Sequence, residues 1–128
     1  MVPRSPIPRL GDIIQAIEHI RTVTADASLD DFEADWQKRW LVERGIEIIS
    51  EASRHLADEL KARHPEIPWT KVAGIGNILR HEYERIAADI LWKLVQEDLA
   101  PLEAACREEL TAAYAGGGVA DDSPNFNC

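Results

Sequence analysis

Apolar residues recur at helical spacing along most of the chain. Leu10, Ile13, Ile14, Ile17 and Ile20 form one stripe and predict a first helix from about Leu10 to Thr24. "SLDD" at 28–31 fits a capping-box start, with Ser28 facing Asp31 three residues on. An amphipathic pattern then continues to about Arg63, through Phe32, Trp36 and Trp40 and on through Ile46, Ile49, Ala52, Leu56 and Leu60. This predicts a second helix of roughly 50 Å at 1.5 Å per residue, with a bend expected at Gly45. "HPEIPW" at 64–69 breaks the pattern, and Pro68 suits a helix start. A third helix is expected from about Trp69 to Tyr83, weakened by the glycines of "AGIGN". Glycines there serve close helix packing more often than ligand contact. A fourth helix spans about Glu84 to Tyr114 on Ile86, Ile90, Leu94, Leu102 and Leu110, and Pro101 should kink or divide it.

Four helices with short connections predict an all-α fold, an antiparallel four-helix bundle over residues 9–114. Residues 1–8 are Pro-rich and expected to be extended, and 115–128 are expected to be a disordered tail. No repeat and no alternating strand pattern is present. Four tryptophans are many for 128 residues. Some should fill the core, and one or two should anchor an oligomer interface.

Composition narrows the function. Hydrophobic residues make up 45% and charged residues 29%, the balance of a globular protein. No apolar signal region and no run long enough for a membrane span is present. Two cysteines make no disulfide framework, so a cytoplasmic location is expected. The net charge of −9 argues against broad nucleic-acid binding, yet it is unevenly spread. Residues 68–93 hold four basic and three acidic side chains, whereas the remainder holds ten and twenty. The least acidic stretch is therefore the one most permissive for phosphate.

That stretch contains "NILRHEYER" at 77–85. Asn77 and His81 are i, i+4 neighbours on a helix, Arg80 lies on the adjacent edge, and Tyr83 follows Arg80 at i+3. These groups suit phosphodiester cleavage without metal or other cofactor. A histidine can move protons at neutral pH, an arginine can hold a phosphate and the charge that builds on it, and an amide can orient either. RNA supplies its own nucleophile, the 2′-OH. The same residues also suit the wet face of an ordinary helix. Acid–base cleavage wants two proton-transfer groups, and a two-fold dimer would bring a second copy of the helix opposite the first. Other chemistries fit poorly. Glu-x-x-His pairs of di-iron bundles are absent, and Glu51 and His55 form the one i, i+4 Glu–His pair, so no metal is expected. Cys106 has no histidine nearby in sequence, and "GIGN" lacks the features of a dinucleotide loop.

"GIEIISEASRHLADEL" at 45–60, "HPEIPWTKVAGIGNILRHEY" at 64–83 and "ILWKLVQEDLAPLEAA" at 90–105 fall in the order expected of the HepT-like branch of the HEPN superfamily. The chain resembles these RNase toxins over about residues 10–112. The family motif is Arg-x4-His-x-Tyr, usually with Asn directly after the Arg. The match gives Asn77 the Asn position, His81 the catalytic His and Tyr83 the Tyr, while Gly76 stands at the Arg position. Arg80, one turn on from Gly76, is the candidate to replace that arginine. The resemblance implies a homodimer with the motif helices lining a shared cleft. It also implies a nucleotidyltransferase-fold antitoxin able to transfer AMP to Tyr83. Two readings follow: a metal-independent endoribonuclease, with Arg80 and Tyr83 binding RNA and Arg80, His81 and Asn77 catalytic, or an inactive dimeric module that binds a nucleotide or the partner.

Overall fold

The computed structural model describes residues 5–82 and 88–117, all of whose regular structure is α-helical. The helices are α1 (Ile7–Thr24), α2 (Leu29–Ala34), α3 (Trp36–Arg54), α4 (Asp58–Ala62), α5 (Trp69–Glu82), α6 (Ala88–Glu97) and α7 (Leu99–Gly117). They form an antiparallel bundle. α3 packs between α1 and α5, α7 covers the other flank of α1, and α2 rests on α6. Leu10, Ile13, Ile17 and Ile20 of α1 meet Val42 and Ile46 of α3, with Phe32 and Leu91, in one core from which water is excluded.

Where the chain departs from the predicted rods, local polar groups are the cause. α1 starts at Ile7, so Ile7 and Pro8, expected to be extended, are helical. Pro8 sits in the first turn, where its missing N–H is not needed, and Leu10 N–H closes on the Pro6 carbonyl at 2.9 Å. The long second helix is three helices. Its capping box forms as expected, with Ser28 and Asp31 each accepting the other's backbone N–H. Asp35 then leaves the helix at φ −109°, ψ 96°, and its carboxylate caps α3 by accepting the N–H groups of Gln37 and Lys38. At the other end the N–H groups of His55 and Leu56 bond three residues back, to Ala52 and Ser53, and the tightened turn ends α3. Gly45 does not interrupt α3. A Cβ there would lie 2.8 Å from the Ile20 side chain, so glycine admits α1. The expected fourth helix is divided at Asp98. Pro101 falls in the first turn of α7, which runs past Tyr114 to Gly117. The expected tail beyond Gly117 lies outside the described residues.

The segment feeding α5 is fixed from both sides. Trp69 Nε1 donates to the carbonyls of Lys61 and His64, at 3.1 and 3.0 Å. Arg63 donates twice to the Glu109 carboxylate of α7, at 3.0 and 2.7 Å, and His64 Nε2 lies 2.7 Å from Glu109 Oε2. His64 and Glu109 are both buried. On the far side, Arg107 of α7 bridges Glu103 and Glu18, and Arg21 pairs with Glu103, which ties α7 to α1. No helix of the described residues is long and apolar enough to cross a membrane.

Candidate active site

α5 turns one face inward and the predicted site outward. Gly76 and Leu79 are buried, whereas Asn77, Arg80 and His81 are exposed on its C-terminal half. Their helical register brings the three together along one edge, as the spacing predicted. Tyr83 lies outside the described residues.

Arg80 lines a cleft of about 310 Å³ between α1, α3 and α5. Its walls carry Arg9 and Asp12 from α1 and Arg44, Glu47, Glu51 and Arg54 from α3. Four guanidiniums thus face three carboxylates. Much of that charge is already engaged. Glu51 meets His55 Nε2 at 2.9 Å and Arg54 Nη2 at 3.2 Å, and these bonds, His55 first, hold its carboxyl below the ordinary range. Arg44 meets Glu47 at a loose 3.4 Å. Arg80 has no hydrogen-bond or ion-pair partner among the described residues, and it opens into the cleft.

A polar clamp under the motif sets how close α3 and α5 come. The Ala73 carbonyl, one turn before Asn77, accepts from Ser50 Oγ at 2.7 Å and from Arg54 Nη1 at 2.9 Å. Ser50 Oγ in turn accepts the Gly76 N–H at 3.2 Å. A Cβ on Gly76 would fall 2.7 Å from Ser50 Oγ and 2.8 Å from Ser50 Cβ. The glycine therefore serves helix packing, whereas a Cβ at Gly74 would meet nothing within 4 Å. Gly76→Arg by itself is expected to destabilise by about 1–3 kcal/mol through overpacking. Ser50→Gly should relieve the clash, so that the double variant melts higher than the sum of the two single effects predicts, as read in a thermal double-mutant cycle.

The cleft's other walls are not legible beside the motif in sequence, because they come from separate helices. Arg44, Glu47, Glu51 and Arg54 do recur at helical spacing on α3, and that stripe was the available signal. Cys106 is buried in α7. Burial, then the charges of Glu109 and Glu103, push its thiol up to about 12, which leaves it unreactive. Among the described residues no group of three or more His, Cys, Asp or Glu side chains is placed to hold a metal ion.

The family model described as "Ribonuclease HepT-like" matches residues 13–109, which hold the core helices and all three described motif residues. The chain belongs to the HepT-like ribonuclease family. It is 39% identical over 100 residues to the "Probable ribonuclease HepT" of Thermococcus cleftensis, covering 78% of this chain and 91% of that protein. It is 36% identical over 90 residues to the provisionally named RNase MJ1380 of Methanocaldococcus jannaschii, covering 70% and 83%. A third relative, the provisionally named RNase TTE0752 of Caldanaerobacter subterraneus, is 31% identical over 107 residues, covering 84% and 96%. No solved structure matches. Within the HepT-like frame the motif arginine would leave α5 at residue 76, between Ser50 and the Glu47 backbone 3.6 Å from the Cβ position. Arg80 opens into the cleft that Glu47 lines.

Proposed function

We propose that this protein is a metal-independent endoribonuclease, the toxin of a toxin–antitoxin pair, acting as a homodimer. The observation that carries the reading is Arg80: a guanidinium with no protein partner among the described residues, opening into a cleft of four arginines and three carboxylates next to exposed His81 and Asn77. Arg80 holds the scissile phosphate and the negative charge that builds on it. His81 takes the proton of the 2′-OH as that oxygen attacks phosphorus. The P–O5′ bond breaks, the leaving oxygen takes a proton from an acid, and a 2′,3′-cyclic phosphate remains. One histidine does not serve both proton transfers at once, so the second is assigned to His81 of the partner copy. Asn77 orients the phosphate or the imidazole, and Tyr83 helps to bind RNA.

Regulation follows from the same stretch. Transfer of AMP to Tyr83 by a nucleotidyltransferase-fold antitoxin would place a bulky anion two residues from His81, where it blocks the cleft and repels phosphate. The test is cleavage of single-stranded RNA in EDTA by protein purified without the antitoxin and shown by intact mass to carry no AMP. Cleavage that disappears in His81→Ala supports the nuclease. A second reading, an inactive dimeric module for a nucleotide or the antitoxin, is favoured by Gly76, which provides no guanidinium at the motif position. It predicts RNA or nucleotide binding by the unmodified dimer with no cleavage.

A further inference from the structure

Two of the four tryptophans do not fill the core. Trp69 is half-buried, with its N–H satisfied by backbone, and Trp92 packs on Phe32 with ring centroids 5.5 Å apart. Trp36 and Trp40 instead stand 59% and 63% exposed on the outer face of α3. They contact each other edge to face, at 4.8 Å and 72°, which leaves ring face open to solvent. So large an exposed aromatic pair calls for an occupant.

Arg44 lies one turn beyond Trp40, in the same i, i+4 row of α3. Its side chain is 71% exposed and it lines the cleft that also holds Arg80. Trp36, Trp40 and Arg44 thus form a continuous strip, steps of about 6 Å leading into the cleft where four arginines face three carboxylates. At the other end the surface turns acidic, at Asp26, Asp31 and Asp35, and this marks where the strip stops. Aromatic faces followed by arginines are what a flexible polyanion with bases uses, since every base has a face to stack and every step a phosphate to neutralise. Protein interfaces, by contrast, are depleted of charge at their core, and here the ring strip runs directly on to the exposed Arg44 one turn beyond Trp40.

We propose that Trp36 and Trp40 are a base-stacking platform for single-stranded RNA, which leads the strand past Arg44 to Arg80. This rests on the nuclease reading and names its substrate as unpaired RNA, because a base held in a duplex has no free face to offer.

The test is anisotropy of a fluorescein-labelled 2′-O-methyl RNA oligonucleotide, which lacks the nucleophile and stays uncut, on the full chain. Trp36→Ala/Trp40→Ala should weaken binding by about 30-fold or more, with the salt slope unchanged because no phosphate contact is lost. Trp36→Phe/Trp40→Phe should restore most of the loss. Abasic sites in the oligonucleotide should weaken binding to the wild type but not to the double alanine variant. Unchanged affinity in the alanine variant overturns the platform. So does dissociation of the oligomer, seen by light scattering, with affinity per protomer intact, which would make the strip a protein interface. Wild type that cleaves RNA while its tryptophans prove indifferent sinks the platform alone. Wild type that neither binds nor cleaves RNA sinks the nuclease reading with it.

Discussion

Glu109→Ala is expected to destabilise the bundle by about 3 kcal/mol, the lower part of the range for breaking a buried charge pair. The loss falls at this end because Arg63, whose side chain is 58% exposed, can turn back to water. His64 cannot, since it stays buried with its Nε2 facing the vacated space. At this chain length about 3 kcal/mol lowers Tm by about 12 °C, measurable by calorimetry. Glu109→Gln keeps the shape and removes the charge, so it separates packing from electrostatics. The Arg63 hydrogen bonds, with His64 adding to them, hold the Glu109 carboxyl below the ordinary glutamate range. A group whose folded pKa is lowered contributes stability above its unfolded value and loses it as pH falls through the folded one. The advantage of wild type over Glu109→Gln should therefore be complete at neutral pH, begin to shrink in the ordinary carboxylate range and vanish below it. A constant advantage down to the acid transition would show that the carboxylate's ionisation is not what counts.

That clamp was not legible in the sequence, and the reason is physical. Arg63 and His64 close one turn and Glu109 lies on the last helix, 45 residues beyond His64. No periodicity links them. The stripe of α1 was legible because one face does one job: Leu10, Ile13, Ile14, Ile17 and Ile20 are all buried. The aromatic stripe Phe32–Trp36–Trp40 looked the same and was not. Asp35 caps a new helix between the first and second rings, so Phe32 enters the core while both tryptophans stay outside. A side chain that bonds its own backbone overrides a helical pattern that would otherwise run on. The edge formed by Asn77, Arg80 and His81 was readable from spacing, since it lies within one helix. Ser50 was not, although its hydroxyl sets the distance between α3 and α5 and explains why residue 76 is glycine.

His81→Ala is expected to lower RNA cleavage by about 100- to 10,000-fold, the usual contribution of a positioned proton-transfer group. Arg80→Ala should lower it by about 100- to 1,000-fold, as for loss of one donor to a developing oxyanion. The two losses should differ in kind. His81 donates no phosphate anchor, so its variant should bind RNA with nearly unchanged affinity and salt dependence. Arg80→Ala should also weaken binding and flatten the salt slope by about one counterion. Arg80→Lys, which keeps the charge but not the planar fork, should recover binding better than turnover. The dimer adds a sharper test, because both proton transfers are assigned to His81, one from each copy. When wild type and His81→Ala are mixed in equal amounts and allowed to exchange, a shared cleft leaves activity only in the wild-type pairs, about one quarter of the total. Sites that each use their own histidine alone would retain about one half. A retained half would show that the second proton-transfer group lies within the same protomer, and the search for it would begin with Glu51 and His55, already in contact at the edge of the cleft.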